Sequence, residues 1–394
     1  MSRFGNISLK TILGLIIATM GLLLVVVSTS ALVEAVDHSN TARRVATSTV
    51  VSKHLFRSLI GMRNERGSEI AGLLGESPIG SGGEAAIASG RTDYETGYAD
   101  ALKALSALDL PELTSAVGRL KTAHDAVAAM LPKVEAALHQ PKSTRDPSLA
   151  QEWPKLTQSM LDAILATSDP LEASLKLADP VTDHFLSIKR AAWTTRLNLG
   201  LMVLRTQTAV ATGQSWGAAE VLAWSEDRAR AALAWTIVTE AAARKDAPRM
   251  LVDDVAMANA NFTGPVADAR KALVGTLSAG RKVDVSIDEL RKGDTTATGL
   301  VVDVVNIALE QMVARAEDQV SQAMRSLILD GLLLIVALAL SVGGFLIVRR
   351  RVSRPILALT ATIEHLAQQD FSVEIPAKTR DDEVGRMQTA LLVL

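Results

Sequence analysis

Three arginines stand in stripes that would otherwise read as helix core. Leu55, Leu59, Met62, Arg66, Glu69/Ile70 and Leu73 follow spacings of three and four. That is the pattern by which a helix faces a core, and Arg66 lies inside it. Arg63 sits one turn earlier, and Arg196 holds a comparable place between Ala192 and Leu199–Val203. A guanidinium does not give up its proton, and burying it unpaired is costly. Two arrangements meet that constraint. In one, Arg66 pairs with Glu65, Glu69 or an acid of another helix, its stem packed and its head reaching water. In the other, Arg63, Arg66 and Arg196 converge between helices and hold a small anion. The planar fork of arginine suits a carboxylate or a planar oxyanion. Spacing leaves both readings open.

Other conspicuous groups read as structure. His54, His124, His139 and His184 have no metal-ligand spacing, so neither a metal nor a cofactor is expected. Trp193, Trp216, Trp224 and Trp235 read as core or bundle-end packing rather than a ligand cage. Asn261-Phe262-Thr263 is a glycosylation sequon only in a eukaryotic secretory setting and is set aside. No nucleophile–base grouping, phosphate loop or metal motif occurs. No catalytic residue is therefore expected, and the chain is not read as an enzyme. A net charge of −2 gives no nucleic-acid footprint, and the lack of cysteine removes disulfides and thiolate sites.

The elements that would position these arginines follow from hydropathy. Thr11 to Val33 is a run of 23 residues without charge, and Gly331 to Val348 a run of 18. About 20 apolar residues span the ~30 Å hydrocarbon core of a membrane. Both runs are read as transmembrane helices, the first as an uncleaved anchor because it exceeds a signal-peptide core. Arg3 and Lys10 precede the first run; Arg349, Arg350, Arg351 and Arg354 follow the second. Glu34, Asp37 and Asp330 mark the opposite flanks. The positive-inside rule then places both ends in the cytoplasm and residues 34–330 outside, in the periplasm of a Gram-negative cell. The expected layout is 1–10 cytoplasmic, 11–33 first span, 34–330 outer domain, 331–348 second span and 349–394 inner domain.

The outer region is Ala/Leu/Val-rich, without strand-like alternation. Pro and Gly clusters predict breaks at 76–90, 109–111, 140–154, 179–180, 213–217, 246–248 and 275–285. About eight helices result, enough for two stacked four-helix bundles with a boundary near Asp179-Pro180. The fold class is all-α. Arginine-bearing helical patterns at 56–74 and 186–210 faintly echo each other.

After the second span, Ile356, Leu359, Ile363 and Leu366 are spaced three, four and three, a coiled-coil seam. Val384, Met387, Leu391 and Leu394 repeat it. Between them lies a non-helical stretch, Asp370 to Asp382. Pro355 suits a first helical position, and Glu383 suits a helix N-terminus.

Two helices joined by an extended connector just inside a membrane resemble the HAMP family. Arg354-Pro355-Ile356 and Asp382-Glu383-Val384-Gly385 carry the likeness, while Gln369-Asp370-Phe371 departs from the commoner Gly-Asp-Phe. The resemblance implies a parallel four-helix coiled coil of two subunits, hence a homodimer. Separately, Leu55 to Ser68, with Glu65-Arg66-Gly67 at its centre, resembles the opening helix of the NIT family of nitrate- and nitrite-sensing domains. Ser89-Gly90-Arg91 adds to that likeness. It implies an all-helical sensor whose anion is held by Arg63 and Arg66 of the first helix and Arg196 of the fifth, with Arg244 or Arg249 as guesses for a further arginine. The run Ile188 to Arg196 also resembles double-bundle receptors for organic acids or unknown ligands. The phrase Gly385 to Leu394 resembles methyl-accepting chemotaxis proteins. The expected function is thus a chemoreceptor for a small anion, signalling through a cytoplasmic module expected beyond Leu394. Rival readings are the sensor half of a histidine kinase or cyclase, a receptor for a protein partner, and a sensor of envelope state.

Overall fold

A computed structural model describes residues 9–108, 110–176, 179–368 and 383–392. All of its regular elements are helical, as expected of a chain rich in alanine and leucine and poor in aromatics. In order they are α1 (Leu9–Leu74), α2 (Ser81–Leu105), α3 (Thr114–Leu138), α4 (Leu149–Leu175), α5 (Pro180–Thr212), α6 (Ala218–Ala242), α7 (Arg249–Ala258), α8 (Pro265–Ser278), α9 (Ile287–Val348), α10 (Arg354–Ala367) and α11 (Glu383–Leu392). Two compact units result, one of residues 1–41 with 321–394 and one of Ala42–Val320.

In the first unit, α1 and α9 carry 18-residue windows of mean hydropathy 2.4 and 2.7, of which 0% and 6% is buried. So much open apolar surface suits lipid and not a protein core. The two helices touch where Gly21 meets Ser341, whose Oγ would stand 3.0 Å from a Cβ at Gly21. The sequence placed a fresh helix start at Arg354-Pro355. Instead α9 passes through a five-residue π-helix, Arg349–Ser353, directly into α10. Pro355 has no N–H to offer the preceding turn, and a wider turn is one way a helix absorbs that loss.

In the second unit, three glycines let α1 and α2 approach backbone to backbone. A Cβ at Gly61 would stand 2.6 Å from the Gly90 carbonyl, one at Gly90 2.6 Å from the Glu65 nitrogen, and one at Gly97 2.5 Å from the Ser58 nitrogen. Glycine costs about 1 kcal/mol against alanine in a helix interior, and here that cost permits the contact. It brings Arg91 of α2 onto two buried acids of α1. Arg91 donates to Glu65 at 2.7 Å and to Glu69 at 3.3 Å, and also pairs with Glu135 of α3. The fully buried Trp153 of α4 donates its indole N–H to Glu69 at 2.8 Å. One polar cluster thus ties four helices together.

Arg145, in the loop before α4, is buried against no carboxylate. Its guanidinium lies 2.7–2.9 Å from the carbonyls of Gly72, Leu73, Gly75, Ser77, Ala137 and Gln140. It thereby supplies donors to the unsatisfied C-terminal turns of α1 and α3, where a cation also suits the helix dipole.

The helices after Asp179 form a second set. α5 packs along α6, and Arg270 of α8 pairs with buried Asp294 of α9 at 3.1 Å. Asn261 is itself buried, donating to the carbonyls of Ala258 and Ala297 and accepting from Arg270. The sequon amide is therefore a packing group. The two sets share one apolar core. Phe56 meets Trp193 edge-to-face at 5.4 Å, and Glu172 of α4 receives Lys189 and Arg190 of α5. Asp179 caps α5 and takes a two-pronged bond from Arg315 of α9 at 2.8 and 3.1 Å.

Two departures from the expected breaks have local causes. α2 starts at Ser81 and runs through Gly90, a contact glycine and not a breaker. The stop between α7 and α8 was not foreseen; it turns on Gly264, at φ 79°, followed by Pro265.

Replacing Arg145 with alanine strands these carbonyls. A loss of about 3 kcal/mol is expected, given the cost of unmade buried hydrogen bonds to a charged donor, and lysine should not rescue it. Thermal unfolding of both variants tests this. A second expectation concerns pH. Burial, reinforced by Glu65, pushes Glu69 up to about 7, and Glu65 is raised by burial as well. The folded state then holds protons that the unfolded chain has lost, so stability falls as pH rises from about 4.5 to about 7, by at most about 1.4 kcal/mol per pH unit for each group. Asp179, held down to about 2 by Arg315, acts only at lower pH and in the opposite sense. Unfolding measured from pH 5 to 7.5 should show this slope, and Glu69→Gln should flatten it.

Candidate functional site

The three sequence-singled arginines come together where α1, α4 and α5 meet. Arg63 and Arg66 lie on α1, Arg196 on α5. The Arg63 guanidinium stands over the Trp193 ring, 5.5 Å from its centroid. A cation over an indole face is favourable but does not neutralise the charge. Trp193 therefore does more than pack: it forms one wall of the site, with Phe56 behind it.

The expected pairing of Arg66 with Glu65 or Glu69 does not occur, because both acids face α2 and Arg91. Adjacent residues diverge by about 100° around a helix, so Glu65 cannot share a face with Arg66. Arg66 instead donates to the Gln158 side chain at 3.0 Å and the Pro154 carbonyl at 3.2 Å. Gln158 in turn donates to Asp162 at 2.8 Å, so that carboxylate is reached through an amide. The Nε atoms of Arg66 and Arg196 are buried without a hydrogen-bond partner. Among the described residues, neither Arg63 nor Arg196 has an ion pair.

The electrostatics agree. Burial, and then the charge of Arg63, brings Arg196 down to about 10. Burial, then Arg66, lowers Arg63; burial also lowers Arg66, with Asp162 opposing it. For a group that normally titrates above 12, these shifts mark cations held close together in a poorly solvated place. Gly200 makes room for one of them: a Cβ there would stand 2.9 Å from Arg196 Nη1.

The neighbouring pair at Lys189 and Arg190 shows the contrast. Burial alone would raise Glu172, but Lys189 and Arg190 together outweigh it and hold the carboxylate below its usual value. There the positive charge is answered, and Lys189 also stands 5.8 Å from the Phe56 ring. Arg244 does not join the arginine site; it is exposed and paired with Asp246 at 3.0 Å. Arg249 is exposed at the start of α7. Sequence reading missed Trp193 as a wall, and also Gln158 and Gly200, which carry no charge to draw the eye. Two described cavities lie elsewhere, one beside Lys133 and Asp146 and one between the apolar helices.

The relay residues sit in the first unit. Leu359 and Thr362 of α10 and Gln388 of α11 are buried, and the two helices touch. Pro355, Ile356 and Val384 are half-buried. Ile363 and Met387 are 47% and 48% exposed, so two of the five described seam positions face outward. Glu383 opens α11 and pairs with Arg386 at 3.1 Å. The side chains of Leu366 and Leu391, and the stretch 369–382 with its connector, lie outside the described residues.

Comparison with known proteins agrees in part with this architecture. The solved structure of the NasR transcription antiterminator aligns with a TM-score of 0.51 at 12% identity, covering 90% of this chain and 95% of that one. At that identity the likeness is one of helical fold. No curated protein matches the sequence. Residues 347–393 match the HAMP domain model. With two apolar helices before it, one leading straight into it, this segment is a HAMP domain, as befits a transmembrane signal transducer.

Proposed function

We propose that this chain is the input half of a bacterial chemoreceptor that binds a small planar anion between α1, α4 and α5 and relays binding through α9 to HAMP. The observation that carries the reading is the pair Arg63 and Arg196, two partly buried cations, the first stacked over Trp193 and lowering the second, with no ion pair to either among the described residues. An anion there would turn repulsion between α1 and α5 into attraction. It would thus have different affinities for two spacings of these helices, the condition for shifting an equilibrium. Nitrate, nitrite and small carboxylates fit the fork geometry of arginine. The basic flank Arg349–Arg351 supports cytoplasmic ends and a periplasmic sensor. The resemblance of Gly385–Leu394 to methyl-accepting proteins supports chemotaxis as the output. Exposed Ile363 and Met387 support a homodimer, since a second copy would cover them.

Calorimetric titration of the purified chain with nitrate, nitrite and a carboxylate panel tests the site. One of these should bind saturably and, at 100 times its dissociation constant, stabilise the fold by about 2.7 kcal/mol. Arg196→Met should abolish binding while leaving the ligand-free protein as stable as before or more so, because it removes an unanswered buried charge. No binding by any anion, together with a destabilised Arg196→Met, would show the arginines to be structural.

The dimer has its own test. The chain has no cysteine, so single-cysteine variants carry no background. Ile363→Cys in membranes should give a disulfide-linked dimer on mild oxidation, and Ala361→Cys, exposed on the opposite side of α10, should not. Equal cross-linking at both positions would refute the seam.

A further inference from the structure

The described cavity between the two apolar helices belongs to neither the arginine site nor the seam. Its volume is about 300 Å³, and Thr11, Gly14, Ile17, Phe345, Val348, Arg349 and Ser353 line it. The helices touch at Gly21 and Ser341, and a turn or two further toward the basic end they leave this space. A Cβ at Gly14 would meet nothing within 4 Å, so the gap is real at that point. Its walls divide by polarity. Ile17, Phe345 and Val348 are apolar; Thr11, Arg349 and Ser353 present hydroxyls and a guanidinium at one end.

That end coincides with the π-helix Arg349–Ser353 and with three consecutive arginines. Departures to π geometry inside long helices are frequent at functional positions, and Arg349 and Ser353, at the two ends of this one, line the same cavity. A space that is apolar on its deep side and cationic at the level where the apolar run stops has the layout of a lipid: acyl chains beside Phe345 and Ile17, a phosphate beside Arg349. Basic pockets between spanning helices at such a level suit anionic headgroups, and the hydroxyls of Thr11 and Ser353 add donors of the kind a phosphate oxygen accepts.

We propose that this cavity binds an anionic phospholipid, its phosphate held by Arg349 with Thr11 and Ser353 and its acyl region lying along Ile17, Phe345 and Val348. Such a lipid would touch α1, α9 and the turn into α10 at once, and so couples bilayer composition to the helix that feeds HAMP. The site is separate from the anion site of the sensor and stands or falls independently of it.

The experiment uses the full chain reconstituted in phosphatidylcholine doped with phosphatidylglycerol. Lipid retained after mild detergent extraction is read by native mass spectrometry. Phosphatidylglycerol should be enriched over its share of the bilayer. Arg349→Gln should cut that retention about fivefold, the factor one arginine near an anionic headgroup is worth. Gly14→Phe, which removes no charge but fills the space, should cut it as well. Arg354→Gln, outside the cavity, should leave it unchanged. Equal loss with Arg354→Gln would mean diffuse attraction to the basic segment and would overturn the site. Displacement by inorganic phosphate alone would reassign it to a soluble anion. If Gly14→Phe instead breaks a dimer while lipid retention holds, a second copy of the chain fills the gap and the proposal is wrong. Helical circular dichroism of each variant separates these outcomes from misfolding.

Discussion

A guanidinium stays charged at any pH a cell meets, so every arginine that leaves water must be given acceptors or held at a cost. This helical chain answers that requirement in three ways. Arg91 is surrounded by carboxylates from α1 and α3. Arg145 is given the spare carbonyls of two helix ends. Arg63 and Arg196 receive an indole face and each other. The first two solutions close the structure. The third leaves the charge unanswered within the described residues, and that is the gap the proposed anion would fill.

The incomplete site is placed at the joint between the two helical sets. Around it the joint is well fastened: Glu172 to Lys189 and Arg190, Phe56 to Trp193, Asp179 to Arg315. Asp179 is notable because one carboxylate both caps α5 and holds α9. Asp179 thus ties the start of α5 to α9. Charged bonds of this kind are short and directional, so they favour discrete repacking over gradual bending.

How much of this could be read from residues alone differs by feature. The apolar spans were legible because their length and the charges that bound them leave few alternatives. The relay seam was legible from spacing, although burial in a single chain falls on Thr362 and Gln388 as much as on the apolar positions. The arginine stripe was legible as a place, but its partners were not. Glu65 and Glu69 looked available in sequence, and only the contact of Gly61, Gly90 and Gly97 shows why they turn to Arg91 instead. Glycine in a helical sequence is ambiguous between stopping a helix and letting another approach it. The stretch 76–90 was read the first way, and its later glycine proved to be of the second kind. Long-range acceptors such as the carbonyls around Arg145 leave no local trace in sequence at all.

The turn at Arg349–Ser353 carries one implication beyond chemistry. An α-helix advances about 100° per residue, and a π turn holds roughly one residue more than an α turn. Everything after it is rotated by about that angle relative to an unbroken helix. The lipid-facing stripe of α9 and the buried stripe of α10, centred on Leu359, are thereby set out of phase by a fixed step. The residue count of the basic segment, more than its charge, sets the azimuth at which each face of α9 continues into α10. Loss of a single residue there would re-index every position downstream while leaving both helices intact.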